Sequence, residues 1–204
     1  MTTTTEPSRG FLAPSWEVAH LFPVQGRWSE SDYLNLTEHT NHLVELSDGY
    51  VEVLPMPTRR HQKIVLLLYR LIYEFMAANS LGTVLCAPLR VRLWEGKFRE
   101  PDLVVMLADH RSREHEAFFD GADLVVEVVS DDAPERDIVT KRQEYAQAGI
   151  PEYWIVDSRM EQINVLRLQG AAYQPQGEYR RGDVVPSALL AGFQVAAATV
   201  FDEK

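Results

Sequence analysis

The run Leu124-Val125-Val126-Glu127-Val128-Val129 is apolar at every position but one. A half-covered strand alternates apolar and polar residues. A short unbroken apolar run such as this one reads instead as a strand buried on both faces. The chain must therefore build layers above and below a sheet. The run also places a carboxylate, Glu127, where an unpaired charge costs roughly several kcal/mol. A proton, a lysine or a metal ion must compensate it.

The flanking sequence supplies the layers. Ile64, Leu67, Leu68, Leu71, Ile72 and Phe75 recur at helical spacing, which predicts a long helix over Arg59 to Asn79 with one broad buried face. A second helix opens with Asp132 as N-cap, Pro134 in the first turn and Glu135 completing a capping box; Gly149 ends it and Pro151 follows. Ile138 and Tyr145 mark its buried stripe. Ser29 caps a short helix to about Glu38.

Strands account for most of the remainder. His42–Leu46 and Tyr50–Leu54 form a hairpin across Ser47-Asp48-Gly49, since Asp-Gly between apolar runs is a strong turn signal. Pro55 and Pro57 end it. Val84 to Leu93 reads as one or two strands, and Leu103–Met106, Leu124–Val129 and Tyr153–Val156 as one each. Gln162–Leu168 and Ala171–Gln176 pair over Gln169-Gly170. A short strand near Val184 and a segment ending at Phe201 close the sequence. The expected fold is α/β, bordering on α+β: a mixed sheet flanked by helices, with an N-terminal hairpin. Residues 1–10 are threonine-rich and read as a disordered tail, and residues 11–204 as a single domain.

Composition narrows the function. The formal net charge is −10, so nucleic acid could be bound only through a local basic patch or bridging cations. One cysteine, Cys86, allows no internal disulfide and no cysteine-based zinc site. The longest apolar runs, such as Ile64–Tyr69, fall well short of the about 20 residues that span a bilayer. With no basic-then-apolar opening segment, the expectation is a soluble cytoplasmic protein.

Two further residues bear on Glu127. Asp102 follows Pro101 at the start of an apolar strand, 25 positions upstream, and Lys141 lies 14 positions downstream in the second helix. Carboxylates on adjacent strands can hold hard divalent cations through oxygen. A lysine beside the buried stripe can reach over the sheet to orient water or neutralise phosphate charge.

These residues, together with Glu127-Val128-Val129-Ser130, Asp137, Tyr145 and Ala148-Gly149-Ile150-Pro151-Glu152-Tyr153-Trp154-Ile155-Val156-Asp157, resemble the Uma-type restriction endonuclease family of the PD-(D/E)XK nuclease superfamily. The resemblance runs from about Ser29 to Phe201; Asp48-Gly49 and His61 also match family positions. It implies a restriction-endonuclease-like fold and a DNA endonuclease that uses Mg²⁺, with Mn²⁺ as an alternative, often as a homodimer. Asp102, Glu127 and the carbonyl of Val128 would be the metal ligands. Val129 stands where the superfamily lysine would be, which gives that role to Lys141. Glu45, before Asp48-Gly49, is the candidate for an additional acid, and His61 for a proton shuttle or phosphate contact.

Each residue also has a structural reading. Glu127 and Lys141 could form a buried ion pair, since such networks need no catalysis. Asp102 could cap a turn, and Lys141 could pair with Asp137 one turn earlier. Asp131, Asp132, Glu135 and Asp137 suit a helix N-terminus. Glu45 could be an ordinary strand residue and His61 a backbone contact. Arg59, Arg60 and Lys63 could bind phosphate or simply be solvated, and Tyr153-Trp154 reads as core. Two other functions stay open: a silent nuclease fold that binds partners, and a metal-dependent hydrolase of another phosphate ester.

Overall fold

The computed structural model describes residues 22–129 and 135–202. The expected tail over residues 1–10 and the capping residues Asp132 and Pro134 lie outside them. In chain order the elements are α1 (Glu30–Glu38), β1 (Val44–Ser47), β2 (Tyr50–Val53), α2 (Arg59–Asn79), β3 (Gly82–Cys86), β4 (Val91–Trp94), β5 (Lys97–Arg99) and β6 (Leu103–Leu107). A 3₁₀ turn (Ala108–Arg113), β7 (Phe119–Asp120) and β8 (Leu124–Val128) follow. A π-helical turn (Arg136–Thr140) then leads into α3 (Lys141–Gln147). The chain ends with β9 (Glu152–Asp157), β10 (Gln162–Gln169), β11 (Ala172–Arg180), β12 (Val184–Pro186), β13 (Gln194–Ala196) and α4 (Ala197–Phe201).

Six strands form the main sheet in the order β11-β10-β9-β8-β6-β3. The apolar run lies in β8, between β9 (parallel) and β6 (antiparallel). Because strand side chains alternate, Leu124, Val126 and Val128 face one layer while Val125 and Val129 face the other. The first layer is α2, whose Ile64, Leu68, Ile72 and Met76 pack on them with Leu103, Val105, Trp154 and Val156. Each such burial contributes about 1.5–3 kcal/mol. The second layer is α3, whose Tyr145 and Ala146 pack on Val104, Met106, Val125, Tyr153 and Ile155. The sheet is thus mixed and flanked by helices, as the run required.

A second sheet, in the order β2-β1-β5-β4-β7, stands beside the first. Its β1–β2 hairpin turns with Asp48 and Gly49 both at positive φ, 51° and 83°, the twist that suits right-handed strands. A side chain at Gly49 would also meet the Gly26 backbone at 2.8 Å, so only glycine fits both conformation and space.

Val84–Leu93, read as one or two strands, is two, β3 and β4, and they belong to different sheets. Other elements differ from the sequence reading. The short strands β5, β7 and β13 carry too few residues for a readable alternation. β5 is Lys97-Phe98-Arg99, all buried; its two cations are covered because Glu144 and Glu45 neutralise them. The β10–β11 hairpin extends to Arg180, with a register shift between Val165 and Leu166. Ile138 is not on the buried stripe: it is 38% exposed. A π-turn adds a residue to the helical ring, and the face turned inward is Asp137, Lys141 and Tyr145 instead.

Candidate active site

β8 carries Glu127 toward the α3 layer, between Val125 and Val129. β6 pairs with β8 through Leu103–Val126; one step further along that antiparallel register, Asp102 falls opposite Glu127. Both line a cavity of about 310 Å³ together with Val128, His61, Glu100, Arg136, Asp137 and Lys141. The segment Leu54-Pro55-Met56-Pro57-Thr58 supplies much of its apolar wall.

Glu127 is 3% exposed. Its Oε1 accepts from Lys141 Nζ at 2.8 Å and from the Tyr145 hydroxyl at 2.6 Å. Lys141 reaches it from α3 and also stands 3.2 Å from Asp137 Oδ1 and 3.7 Å from Glu45 Oε1. Asp102 Oδ2 accepts from the Val128 N–H at 2.7 Å and lies 3.1 Å from His61 Nε2. These contacts use Oε1 of Glu127 and Oδ2 of Asp102; Glu127 Oε2 and Asp102 Oδ1 take part in none of them.

Glu45 occupies a different place. It lies in β1 behind Lys141 and is not among the residues lining the cavity. Arg99 Nη1 and the Glu100 N–H donate to it. Arg99 in turn grips Glu144 with Nε at 2.7 Å and Nη2 at 2.9 Å, and Lys97 joins Glu144 and the Ser47 hydroxyl. A buried chain of alternating charge thus runs from β5 to Glu127. His61 sits in the first turn of α2, where Thr58 accepts from its N–H; its Nδ1 is buried with no hydrogen-bond partner.

Burial drives the ionisation of this cluster. It pushes the Glu127 carboxyl up to about 8; Asp137 and Asp102 add to the rise and Lys141 opposes it. For Lys141, burial favours the neutral amine, but Glu127, Glu45 and Asp137 outweigh it and hold the ammonium above its ordinary range. For Glu45, burial raises the carboxyl, yet Lys141, Arg99 and the Glu100 N–H bring it below the usual value. Burial would lower His61, but the hydrogen bond and charge of Asp102 leave it raised.

The structure therefore brings Asp102, Glu127, Val128, Lys141 and His61 to one cavity and sets Glu45 one layer behind. The sequence reading assigned no site role to Arg99, Glu144, Tyr145 or Arg136. Only the four-residue spacing of Asp137, Lys141 and Tyr145 signalled a shared helix face. Among the described residues, no group of three or more His, Cys, Asp or Glu side chains is placed to hold a metal ion. Nor is any helix among them long and apolar enough to cross a membrane.

Residues 30–199 match the model of the family Uma2, described as "Putative restriction endonuclease". In fold the chain is similar to "a putative nuclease belonging to DUF820 from Anabaena variabilis ATCC 29413", a crystal structure at 1.96 Å. The TM-score is 0.70 at 18% identity, covering 86% of this chain and 98% of that one. No curated protein matches the chain significantly.

Proposed function

Because the chain belongs to the Uma2 family, whose description is "Putative restriction endonuclease", we propose that it hydrolyses DNA phosphodiester bonds as a divalent-metal-dependent endonuclease, with Mg²⁺ as the cation and Mn²⁺ as a substitute. One observation carries the proposal: Asp102 and Glu127, on neighbouring strands, share a cavity wall with a fully buried lysine. The donors are oxygens, which suit a hard cation. Two carboxylates and the Val128 carbonyl leave room for water and phosphate oxygens in the coordination shell, the way Mg²⁺ is usually held. When bound, the cation would polarise the scissile phosphate and acidify the attacking water.

The chain's own residues do the rest. Asp102 is aimed by the Val128 N–H and His61, and Glu127 by Lys141 and Tyr145. Ligands fixed this way need little reorganisation before reaction. Lys141 remains an ammonium, so it donates to water or phosphate oxygen and is not a base. Glu45, with Arg99 behind it, holds Lys141 from the far side. His61, which holds Asp102 through Nε2, is assigned as a proton shuttle or phosphate contact. The acidic net charge of −10 makes cations necessary for approach to DNA as well as for chemistry. A homodimer would present two such sites to the two strands.

Incubation of supercoiled plasmid with wild type and Asp102→Ala, in Mg²⁺, Mn²⁺ or EDTA, tests this reading. Wild type should nick or linearise the plasmid only with a cation present, and Asp102→Ala should not. Identical behaviour of the two would leave a fold that binds without cutting. Inactivity on DNA combined with cation-dependent release of nitrophenol from bis(p-nitrophenyl) phosphate, the other product being the monoester, would redirect the site to another phosphate ester.

A further inference from the structure

Three cationic side chains line the cavity: His61, Arg136 and Lys141. Two are committed. Lys141 has carboxylates on three sides, from Glu127, Asp137 and Glu45, and His61 is tied to Asp102 through Nε2. Arg136 differs. Its Nη1 reaches only Glu52 Oε1 at 3.3 Å, on an edge-strand side chain that is 59% exposed. Its Nε lies 3.9 Å from Asp137 Oδ1, beyond hydrogen-bond distance, and is buried with no hydrogen-bond partner. A guanidinium carries five donors in a planar fork shaped for phosphate or carboxylate. Among the described residues, most of this fork faces no acceptor.

The surroundings say what could fill it. Glu100, Asp102, Glu127 and Asp137 make the cavity wall acidic, so an anionic substrate needs a cation not already neutralised. Arg136 opens the π-turn that directs Asp137 inward and Ile138 and Val139 outward. Such turns recur at functional sites. Its exposed partner Glu52 gains little from the pairing, because solvent screens it.

Building on the endonuclease reading above, we propose that Arg136 is the substrate-phosphate ligand of this site, and that Glu52 is a carboxylate stand-in which the phosphate displaces. Glu52 takes one prong of the fork, whereas a phosphate can accept two, so the phosphate gains a contact that Glu52 does not make. Losing Glu52 therefore frees Arg136 for substrate. A purely structural tether between β2 and the π-turn predicts otherwise, since both partners would then matter in the same direction.

Two measurements decide. Steady-state cleavage of a labelled DNA duplex in Mn²⁺ should show KM raised about tenfold by Arg136→Lys, with kcat within about twofold. Glu52→Gln should lower KM by about threefold. The second measurement needs no cleavage: the Nε–H resonance of Arg136, identified by its loss in Arg136→Lys, is followed by NMR against inorganic phosphate. It should shift saturably, with a tighter midpoint in Glu52→Gln. Unchanged KM in both variants, or a rise in both, overturns the proposal while the endonuclease reading stands. No cleavage by wild type, with the phosphate shift and its tightening present, keeps Arg136 as an anion ligand and removes the endonuclease reading. If Arg136→Lys does not fold, the direction of the Glu52→Gln change decides alone, a weaker or unchanged response to phosphate counting against the proposal.

Discussion

Both faces of the main sheet carry an apolar core, but the α3 side also buries a cluster of charges. On one, α2 covers the strands with Ile64, Leu68, Ile72 and Met76, and the interface is apolar. On the other, the π-turn and α3 present Asp137, Lys141 and Tyr145 to Glu127. The apolar face owes its stability to area removed from water. The charged face pays a desolvation cost and recovers it only while every partner is present. A protein has no structural need for the second solution when the first is available a few ångströms away. On the function proposed above, the difference reflects an α3 face shaped for chemistry.

The contrast can be broken most severely at Lys141. Lys141→Met strands Glu127 and Asp137 without their ammonium, and should cost about 3–5 kcal/mol in urea unfolding. Replacing Asp137 and Glu127 by Leu as well makes the charged face resemble the apolar one, and should restore most of that loss. A single substitution costing less than about 1 kcal/mol would show that the ion network does not hold this face. On the other side, Leu68→Ala should cost about 2–5 kcal/mol and leave Mn²⁺ binding, read by calorimetry, unaltered.

A smaller effect comes from pH. The Glu127 carboxyl, raised to about 8 in the fold, holds its proton more tightly there than in the unfolded chain. Its contribution to stability is complete below the ordinary carboxylate range and is lost as pH rises through about 8. In EDTA, stability should therefore fall from about pH 4.5 to about pH 8, by no more than about 1.4 kcal/mol per pH unit, and level off above that. Glu127→Gln should flatten that slope. Cation affinity should run the other way and strengthen toward pH 8, because the cation competes with the same proton. The smallest change is Tyr145→Phe. It removes one of two hydrogen bonds to Glu127 Oε1, which keeps Lys141, and should cost about 0.5–1.5 kcal/mol, with no counterpart on the α2 face.

The same contrast explains what the sequence made legible. The α2 face could be read directly, because apolar residues at helical spacing have a single meaning. Glu127 and Asp102 stood out because each interrupts or opens an apolar strand. The rest of the charged face was hidden. Asp137 looks like an ordinary acid of a first helical turn, and the π-turn shifts the phase that made Ile138 look buried. Lys97-Phe98-Arg99 reads as a polar connection until Glu144 and Glu45, 45 and 54 positions from Arg99, come to meet it. Pairings across such separations leave no periodic trace in a sequence.

On the proposed function, the α3 face is charged because it is built around a cation. Anomalous diffraction from crystals soaked in Mn²⁺ would locate that cation. One strong peak is expected within coordination distance of both Asp102 and Glu127, absent from Glu127→Gln crystals. A peak elsewhere, or none at saturating Mn²⁺ with Glu127 still on Lys141, would contradict it and leave a structural ion pair in place of a metal site.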